Sequence, residues 1–400
     1  MPSVSSYGIY RFLEESNPGE IASGNPQIWR VLSGTLNQSV EYSENKELRS
    51  DRGRYQSTPV SGSVAGSINV NLSHKTHDLF LEALLSDTFT AVGTNSLATV
   101  ANMVFDSVTH AITSATAALP LLEKGQWFKI SGASNALNNG FFRASNTTAP
   151  TTSSIIVDTA VKDVTTATTA STVISSARLK QGNDDPRTIT IERELSDVDR
   201  FFTWAECHVG SMNLSYSIGS EVSGSFGFMA GSPEATGADS DFPGIASAVA
   251  ATTTPVFNNV TGTTVLMDGA SLGESCAESF TLDINANLKE RRCLGAGLAP
   301  SSIGDDQFTI TGTANIFFGS AAANTIYDKK LTGASMAFSI CITDSAGNGF
   351  AVTIPAATVE EATVSGDGMG TDVMMSVKFT AYTDTVSGSM ICIDRLGSTA

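Results

Sequence analysis

The sequence predicts a mainly β fold organised around a duplicated unit. Residues 62–72 place apolar or Gly side chains on even positions and Ser, Ala or Asn on odd positions, the period-2 pattern of a strand with one buried face. Residues 308–318 repeat the alternation, with Thr and Asn on the odd positions from 309 to 315. Each strand precedes a short predicted helix, which in the first unit covers 75–85 with Ser73 as N-cap.

The repeat has a constant register. Adding 246 to each position from 33 to 85 reaches 279 to 331 without a gap, and eight of the 53 aligned positions are identical. The identities include Gly66 with Gly312 and Asn69 with Asn315. Eight identities are also compatible with chance, but the shared strand–loop–strand–helix order and the matched parity of the faces favour a duplication.

The first half is longer than the second because it carries an insertion. Aligning Phe201 with Phe350 gives an offset of 149, which is 97 less than 246. The predicted parts are a first repeat domain over 1–89 and 188–230 with an N-terminal arm over 1–27, an inserted external β module over 90–187, a linker over 231–262 and a second repeat domain over 263–400. The insertion and the linker contain Thr-, Ala- and Ser-rich stretches, which we expect to run over the surface.

Composition excludes several classes of protein. The 400 residues carry a net charge of −17, and an acidic surface disfavours tight contact with nucleic-acid phosphates. No apolar run is long enough to span a membrane, and the N-terminus lacks the features of a signal peptide. The five Cys residues are scattered and odd in number, which predicts buried free thiols.

No motif in the chain predicts catalysis, a metal site or a cofactor. His74 and His77 have metal-ligand residue types, but their place at a helix start favours solvated first-turn residues. Asp283, Asn285 and Asn287 resemble the opening of a calcium loop, yet Leu294 occupies the twelfth position where a Glu is required. We therefore expect a structural protein that is not an enzyme and binds no cofactor.

Several segments resemble the major tail tube proteins of long-tailed, siphovirus-type bacteriophages. They are YRFLEE at 10–15, Pro18-Gly19, Trp29, SGTL at 33–36 and SGSVAGSINVNLS at 61–73. The resemblance implies hairpins placed edge to edge in a ring-closed β-barrel, with a helix outside and a long loop that touches the next ring. Most members of the family carry one such domain and form hexameric rings, whereas this chain shows two.

The resemblance also implies function and location. The chain would be a subunit of the virion tail, assembled in the host cytoplasm, whose stacked rings form a conduit for DNA during genome ejection. Three copies would form a pseudo-hexameric ring. The implied partners are the chain itself and the tape-measure, tail-terminator and tail-tip proteins, while double-stranded DNA passes without specific binding and no membrane is involved. A decoration or baseplate subunit and a bacterial surface adhesin module are the alternatives.

Two sets of residues are candidates for these roles. The strand faces predicted to line the lumen carry Ser63, Ser67, Asn69, Asn71, Thr309, Thr311, Thr313 and Asn315. In the alternative orientation these faces point outward and other strands line the bore. The charged loops predicted to contact the next ring carry Glu44, Lys46, Glu47, Arg49, Arg52, Arg54, Glu290, Arg291, Arg292, Asp305 and Asp306.

Overall fold

A computed structural model gives the structure of most of the chain. It describes residues 8–51, 53–91, 97–165, 170–182, 186–260, 262–272, 276–295, 297–319, 321–366, 368 and 370–397. The described residues are mainly β, with two α-helices among them. The predicted mainly β fold is therefore confirmed.

The first half of the chain, up to the end of the insertion, contains thirteen strands and one α-helix among its described residues. The N-terminal part contains β1 Gly8–Glu14, β2 Gln27–Trp29, β3 Ser33–Gly34, β4 Asn37–Ser43, β5 Thr58–Asn71, α1 Asp78–Leu85 and β6 Thr90–Ala91. The insertion contains β7 Leu97–Val100, β8 Met103–Asp106, β9 Ala111–Ser114, β10 Trp127–Ser131, a 3₁₀ turn Ala136–Asn138, β11 Gly140–Arg143, β12 Ser154–Ile156 and β13 Ser171–Ser175.

The chain then returns to the large sheet. The middle part contains β14 Ala177–Lys180, β15 Ile189–Leu195, β16 Arg200–Ser217, β17 Ser223–Ala230, β18 Ala235–Gly237 and a 3₁₀ turn Ile245–Ser247. The C-terminal part contains β19 Thr263–Met267, β20 Ala270–Ser271, β21 Ala277–Asn285, β22 Lys289–Arg291, β23 Ser302–Gly304, β24 Thr309–Phe317, α2 Ala321–Thr332, β25 Met336–Thr343, β26 Gly349–Ser365, β27 Met374–Ala381 and β28 Cys392–Leu396.

The alternation in the two repeated strands is confirmed by burial. On β5 the even-numbered Val64, Ile68 and Val70 are buried, while the odd positions 63 to 71 stay half-buried or exposed. On β24 the even-numbered Ile310 and Ile316 are buried in the same way. These side chains belong to one hydrophobic cluster that extends through both halves of the chain.

The repeated strands form one antiparallel sheet in the order β4-β5-β17-β16-β21-β24-β27-β26. The pairing of β16 with β21, called the seam here, joins the first half of the chain to the second. The sheet does not close within the described residues: β4 pairs with β5 alone, and residues 358–365 of β26 pair with β27 alone. Closure into a barrel therefore stays a prediction for the assembly.

The pairing supports the predicted register of the repeat. Gly66 lies opposite Phe228, and Gly312 lies opposite Phe379. Ser33 faces Asn69 and Ser279 faces Asn315, again 246 residues apart. The predicted alignment of Phe201 with Phe350 is wrong by one residue. Each strand pair has a bulge, between Trp204 and Cys207 on β16 and between Ile354 and Ala357 on β26. Matching the two bulges makes Trp204 equivalent to Ile354, so the offset between these strands is 150.

The insertion is anchored on the second half of the chain. Strands β7 to β13 form two small sheets around their own hydrophobic cluster. Trp127 of β10 is fully buried in a separate cluster with Leu266, Cys341, Ala351 and Leu396. The flanking strands β6 and β14 belong to the large sheet, where β14 pairs with β28. The segment that can be removed without opening this sheet is thus narrower than 90–187, and we propose 97–175.

Three local expectations are wrong in whole or in part. Helix α1 begins at Asp78, later than predicted, and Ser73 does not cap it but donates to the Thr76 hydroxyl at 2.7 Å. Most described residues of 231–262 are half-buried or exposed as expected, but Phe242 and Phe257 are buried. Of the five free thiols, Cys276 and Cys293 are exposed.

Candidate functional site

The eight candidate lining residues lie on one face of the large sheet, called the polar face here. Opposite residues of paired strands share a face, and one row runs from Asn69 through Ser225, Asn213 and Asp283 to Thr311. All eight are half-buried or exposed, whereas their even-numbered neighbours form the core. The structure thus brings the two predicted sets together across the seam.

The two halves place the same hydrogen bonds on this face. The Asn69 amide donates to the Ser33 hydroxyl at 2.8 Å, and the Asn315 amide donates to the Ser279 hydroxyl at 3.1 Å. Thr313 bonds to the Thr281 hydroxyl as Ser67 bonds to Thr35. Side chains bonded to each other are held close to the sheet, so these positions contribute short neutral groups to the face.

Sequence reasoning missed further members of the polar face. They lie on β16, β17, β21 and β27 and include Ser211, Asn213, Ser215, Ser223, Ser225, Asp283 and Lys378. Lys378 is exposed and lies opposite Thr313 on one side and Glu361 on the other, so it places a cation beside a carboxylate. The sequence signal for Lys378 is the alternation of residues 374–381, which places apolar side chains on odd positions and Lys378 on the opposite face.

The two free edges of the sheet are each capped by a charged side chain. The Gln38 N–H of β4 donates to a Glu234 carboxylate oxygen at 3.2 Å, and the Trp204 indole N–H donates to the same oxygen at 2.9 Å. At the other edge the Lys330 ammonium of α2 donates to the Ala362 carbonyl of β26 at 3.0 Å. A charge placed on an edge strand is a common protection against pairing with another chain.

The two charged loops differ in their contacts. In the loop between β21 and β24, the Arg292 guanidinium donates to the Gly62 carbonyl at 2.6 Å, and the Gly62 N–H donates to the Leu298 carbonyl at 2.9 Å. Most described residues of the loop between β4 and β5 are exposed, with Leu48 at 99% exposure.

Ion pairs within each loop involve many of the predicted residues. Arg49 pairs with Asp51, Arg54 with Glu44, Arg292 with Glu290, and Lys289 with Asp306. Among the other predicted residues, Lys46, Glu47, Arg291 and Asp305 also lie in these loops, while Arg52 lies outside the described residues.

The two His residues at the helix start are core residues. His77 is buried, accepts a hydrogen bond from the Trp29 indole at 3.1 Å, and lies 3.1 Å from the Asn71 carbonyl through its other ring nitrogen. Burial lowers the pKa of His74 and of His77 to about 4. The expectation of solvated residues is wrong. The described part of the chain contains no group of three or more residues arranged to hold a metal ion.

An open antiparallel sheet with a polar face and two capped edges defines a structural protein suited to edge-to-edge assembly. The chain belongs to the phage tail tube protein family, whose model matches residues 8–381. It is thus a structural component of the virion tail, and its family is one that builds a tube from copies of the subunit. No curated protein matches the chain significantly. None of its described helices combines the length and apolar character needed to cross a membrane.

Proposed function

We propose that three copies of this chain form a ring of six tube units, and that stacked rings form the conduit for DNA during ejection. The observation that carries the proposal is the seam, where two units of one chain already pair edge to edge over seven residue pairs. The same chain leaves two free edges, one on β4 and one on β26. In the repeat, β4 corresponds to β21 and β26 corresponds to β16, the two strands of the seam. Repeating the seam between chains closes a ring and removes both edges.

The polar face supports the assignment of the lumen. Duplex DNA carries one negative charge per ~1.7 Å, so a basic lining would hold it. The face offers short neutral side chains together with Asp283, and Lys378 lies beside Glu361. Such a surface is wetted by water yet binds phosphate weakly, which suits passage without specific binding.

The loops support the stacking of rings. In this proposal part of the loop between β4 and β5 contacts the neighbouring copy within the ring, because the corresponding loop of the second unit contacts Gly62 of the first. The exposed remainder of the loop is then available to the next ring. Leu48 and Leu294 are related by the repeat and are almost fully exposed, at 99% and 108%. Apolar side chains of this exposure fit a contact with the next ring.

Electron microscopy of the purified protein tests the proposal. We expect hollow tubes, and end-on averages combined with the mass per ring should give three chains and six similar units. Six full-length chains per ring would contradict the pairing of two units in one chain. Discrete monomers under all assembly conditions would contradict the tube itself.

A further inference from the structure

The internal seam provides a template for the contact between copies. On β16 and β26 the same irregularity separates Val209 from Ser211 and Val359 from Glu361, opposite the equivalent Phe228 and Phe379. Adding 150 therefore converts a β16 position into its β26 counterpart beyond this point. Adding 246 to a position on β3 or β4 gives its β21 counterpart, as the pairing with β5 and β24 shows.

Applying these two offsets to the residue pairs of the seam gives the register expected between two chains. At the seam Met212 lies opposite Ile284, Asn213 opposite Asp283, and Leu214 opposite Leu282. The corresponding pairs between copies are Ala362 with Gln38, Thr363 with Asn37, and Val364 with Leu36. The counterpart of the fully buried Leu214 is Val364, which is 41% exposed in the single chain. Pairing with the next copy would bury Val364 as β21 buries Leu214.

Backbone direction gives the same pairing independently. At the seam Ala286 donates to Gly210 and Ile218 donates to Glu278, so even-numbered residues of β21 bond to β16. The even-numbered Gln38 on β4 and Ala362 on β26 are their counterparts. Their backbone groups are the ones capped by Glu234 and Lys330. In the register above, the Gln38 N–H of one copy donates to the Ala362 carbonyl of the next.

We propose that β26 of one copy pairs with β3 and β4 of the next in this register, and that Glu234 and Lys330 cap the two bonding groups until the neighbouring chain displaces them. The proposal rests on the proposed function and adds its partner strand, its register and a control on assembly. In the first unit, Leu84 occupies the position equivalent to Lys330 and is buried. The helix beside the seam therefore carries no charged side chain at this position.

The hollow beside the free edge at β3 corresponds to a smaller cavity beside the seam. A cavity of about 130 Å³ lies beside the seam, lined by Ser279 and Phe280 together with Tyr216 of the neighbouring strand. A hollow of about 470 Å³ is lined by Ser33 and Gly34, the counterparts of Ser279 and Phe280. The larger hollow is consistent with a missing neighbour at β3.

Disulfide trapping tests the register. In a chain with the exposed Cys276 and Cys293 changed to Ser, we expect Asn37→Cys with Thr363→Cys to form a disulfide between chains upon assembly, since the two positions lie directly opposite. Asn213→Cys with Asp283→Cys is the matched positive control, which should form the equivalent bond within one chain. Asn37→Cys with Ser365→Cys is the negative control, shifted by two residues.

The outcomes separate this proposal from the proposed function. Tubes that form without the 37–363 bond, or that trap the shifted pair better, would overturn the register while leaving the conduit intact. Failure of the unmodified chain to form rings at all would overturn the proposed function itself. A ladder of chains linked through 37 and 363 that closes at three would support both.

The caps are tested by the critical concentration for tube assembly. Lys330→Met keeps the aliphatic stem and removes the donor, so we expect the critical concentration for tube formation to fall by about two- to tenfold, the equivalent of one hydrogen bond that no longer competes. The matched control is Lys329→Met on the same helix, since Lys329 bonds to Asp268 and the Ser335 carbonyl and not to the edge. An unchanged critical concentration in Lys330→Met, or an equal fall in both variants, would overturn the capping role.

Discussion

The two units of this chain share a sheet but differ in what surrounds it. Both place a Gly opposite a Phe, and an Asn–Ser hydrogen bond on the polar face, at positions 246 residues apart. Helix α1 buries five of its eight residues, whereas α2 buries two of twelve. The register of the sheet therefore does not depend on how the helix packs. The alternation of the strands and the close Gly contacts specify it.

The first unit also carries the insertion, and its attachment is the strongest difference between the two. The Arg178 guanidinium of β14 donates to both carboxylate oxygens of Asp394 on β28, at 2.9 and 2.7 Å, and both side chains are buried. The Ser176 hydroxyl donates to the same carboxylate at 2.7 Å. The attachment therefore combines this buried charge pair with the packing of Trp127 against the second half of the chain.

Breaking this charge pair should have the largest effect on stability. Asp394→Asn removes the buried carboxylate partner of Arg178 and leaves only the partly exposed Glu123 beside its charge, so we expect a loss of about 3 kcal/mol in the free energy of unfolding. Urea denaturation of the unassembled chain measures it. Asp306→Asn, which breaks the exposed pair with Lys289 in the second unit, is the control and should change stability by less than about 1 kcal/mol. Equal losses in the two variants would contradict this account of the attachment.

The paired glycines provide a second comparison. A Cβ atom at Gly66 would lie 2.5 Å from the Leu36 Cα, and one at Gly312 would lie 2.3 Å from the Phe379 ring. Either Ala substitution overpacks the sheet, at a cost of about 1–3 kcal/mol or more. We expect Gly66→Ala to cost more, because the backbone of the adjacent strand cannot rotate away as a side chain can.

Thermal unfolding of the two Ala variants measures this difference. Gly370→Ala tests whether loss of a glycine matters by itself, since a Cβ there meets no atom within 4 Å, although its φ of +80° adds some backbone strain. A larger loss in Gly312→Ala than in Gly66→Ala would show that the ring, and not the backbone, limits the contact.

The buried His77 makes the first unit sensitive to acid, whereas its counterpart in the second unit is Ala323. Burial lowers the pKa of His77 to about 4, against about 6.5 in an unfolded chain. Between these values the unfolded state binds the extra proton, so stability falls as the pH falls from about 6.5 to 4. The loss is up to about 3 kcal/mol for one such group.

His77→Gln tests the acid effect. The Gln carbonyl can still accept from the Trp29 indole, and we expect unfolding free energies measured from pH 7 to 4 to vary less than in the unmodified chain. Carboxylate protonation contributes to both profiles and cancels in the comparison. Parallel profiles would mean that His77 titrates normally in the folded protein.

Much of the sheet could be predicted from the sequence, and the reasons are local. The alternation of 62–72 and 308–318 fixes which side chains are buried, and a constant offset of 246 fixes the pairing because no residue is inserted between the repeated strands. The alignment of Phe201 with Phe350 failed by one residue, because it matched two residues of the same type, whereas the strand pairing makes Trp204 equivalent to Ile354.

Other parts of the site could not be predicted, because they depend on contacts between distant segments. Nothing in the composition of the linker indicates that Glu234 reaches Gln38, almost 200 residues earlier in the chain. The insertion reads as an independent module, but its Trp127 is buried against the second unit. Long-range packing of this kind leaves no periodic signal in the sequence.

The smallest effect on stability, with the clearest effect on function, is expected on the polar face. Asn69→Lys with Asn315→Lys removes two hydrogen bonds, at about 1 kcal/mol each, and adds two cations per chain to the proposed lumen. Phosphate attraction should then slow DNA release from virions carrying the variant, while tubes still assemble. Raising the salt concentration should restore much of the rate, since attraction between exposed charges is screened.

The control for this variant must add charge elsewhere. Asn324→Lys places a cation on the exposed side of α2 and should leave release unchanged.

Glu361→Gln should also slow release, as the added Lys residues do, because Lys378 on the polar face then loses its neighbouring carboxylate. If release from the Asn69 and Asn315 variant is normal at low salt, the polar face does not line the lumen and the opposite orientation of the sheet is correct.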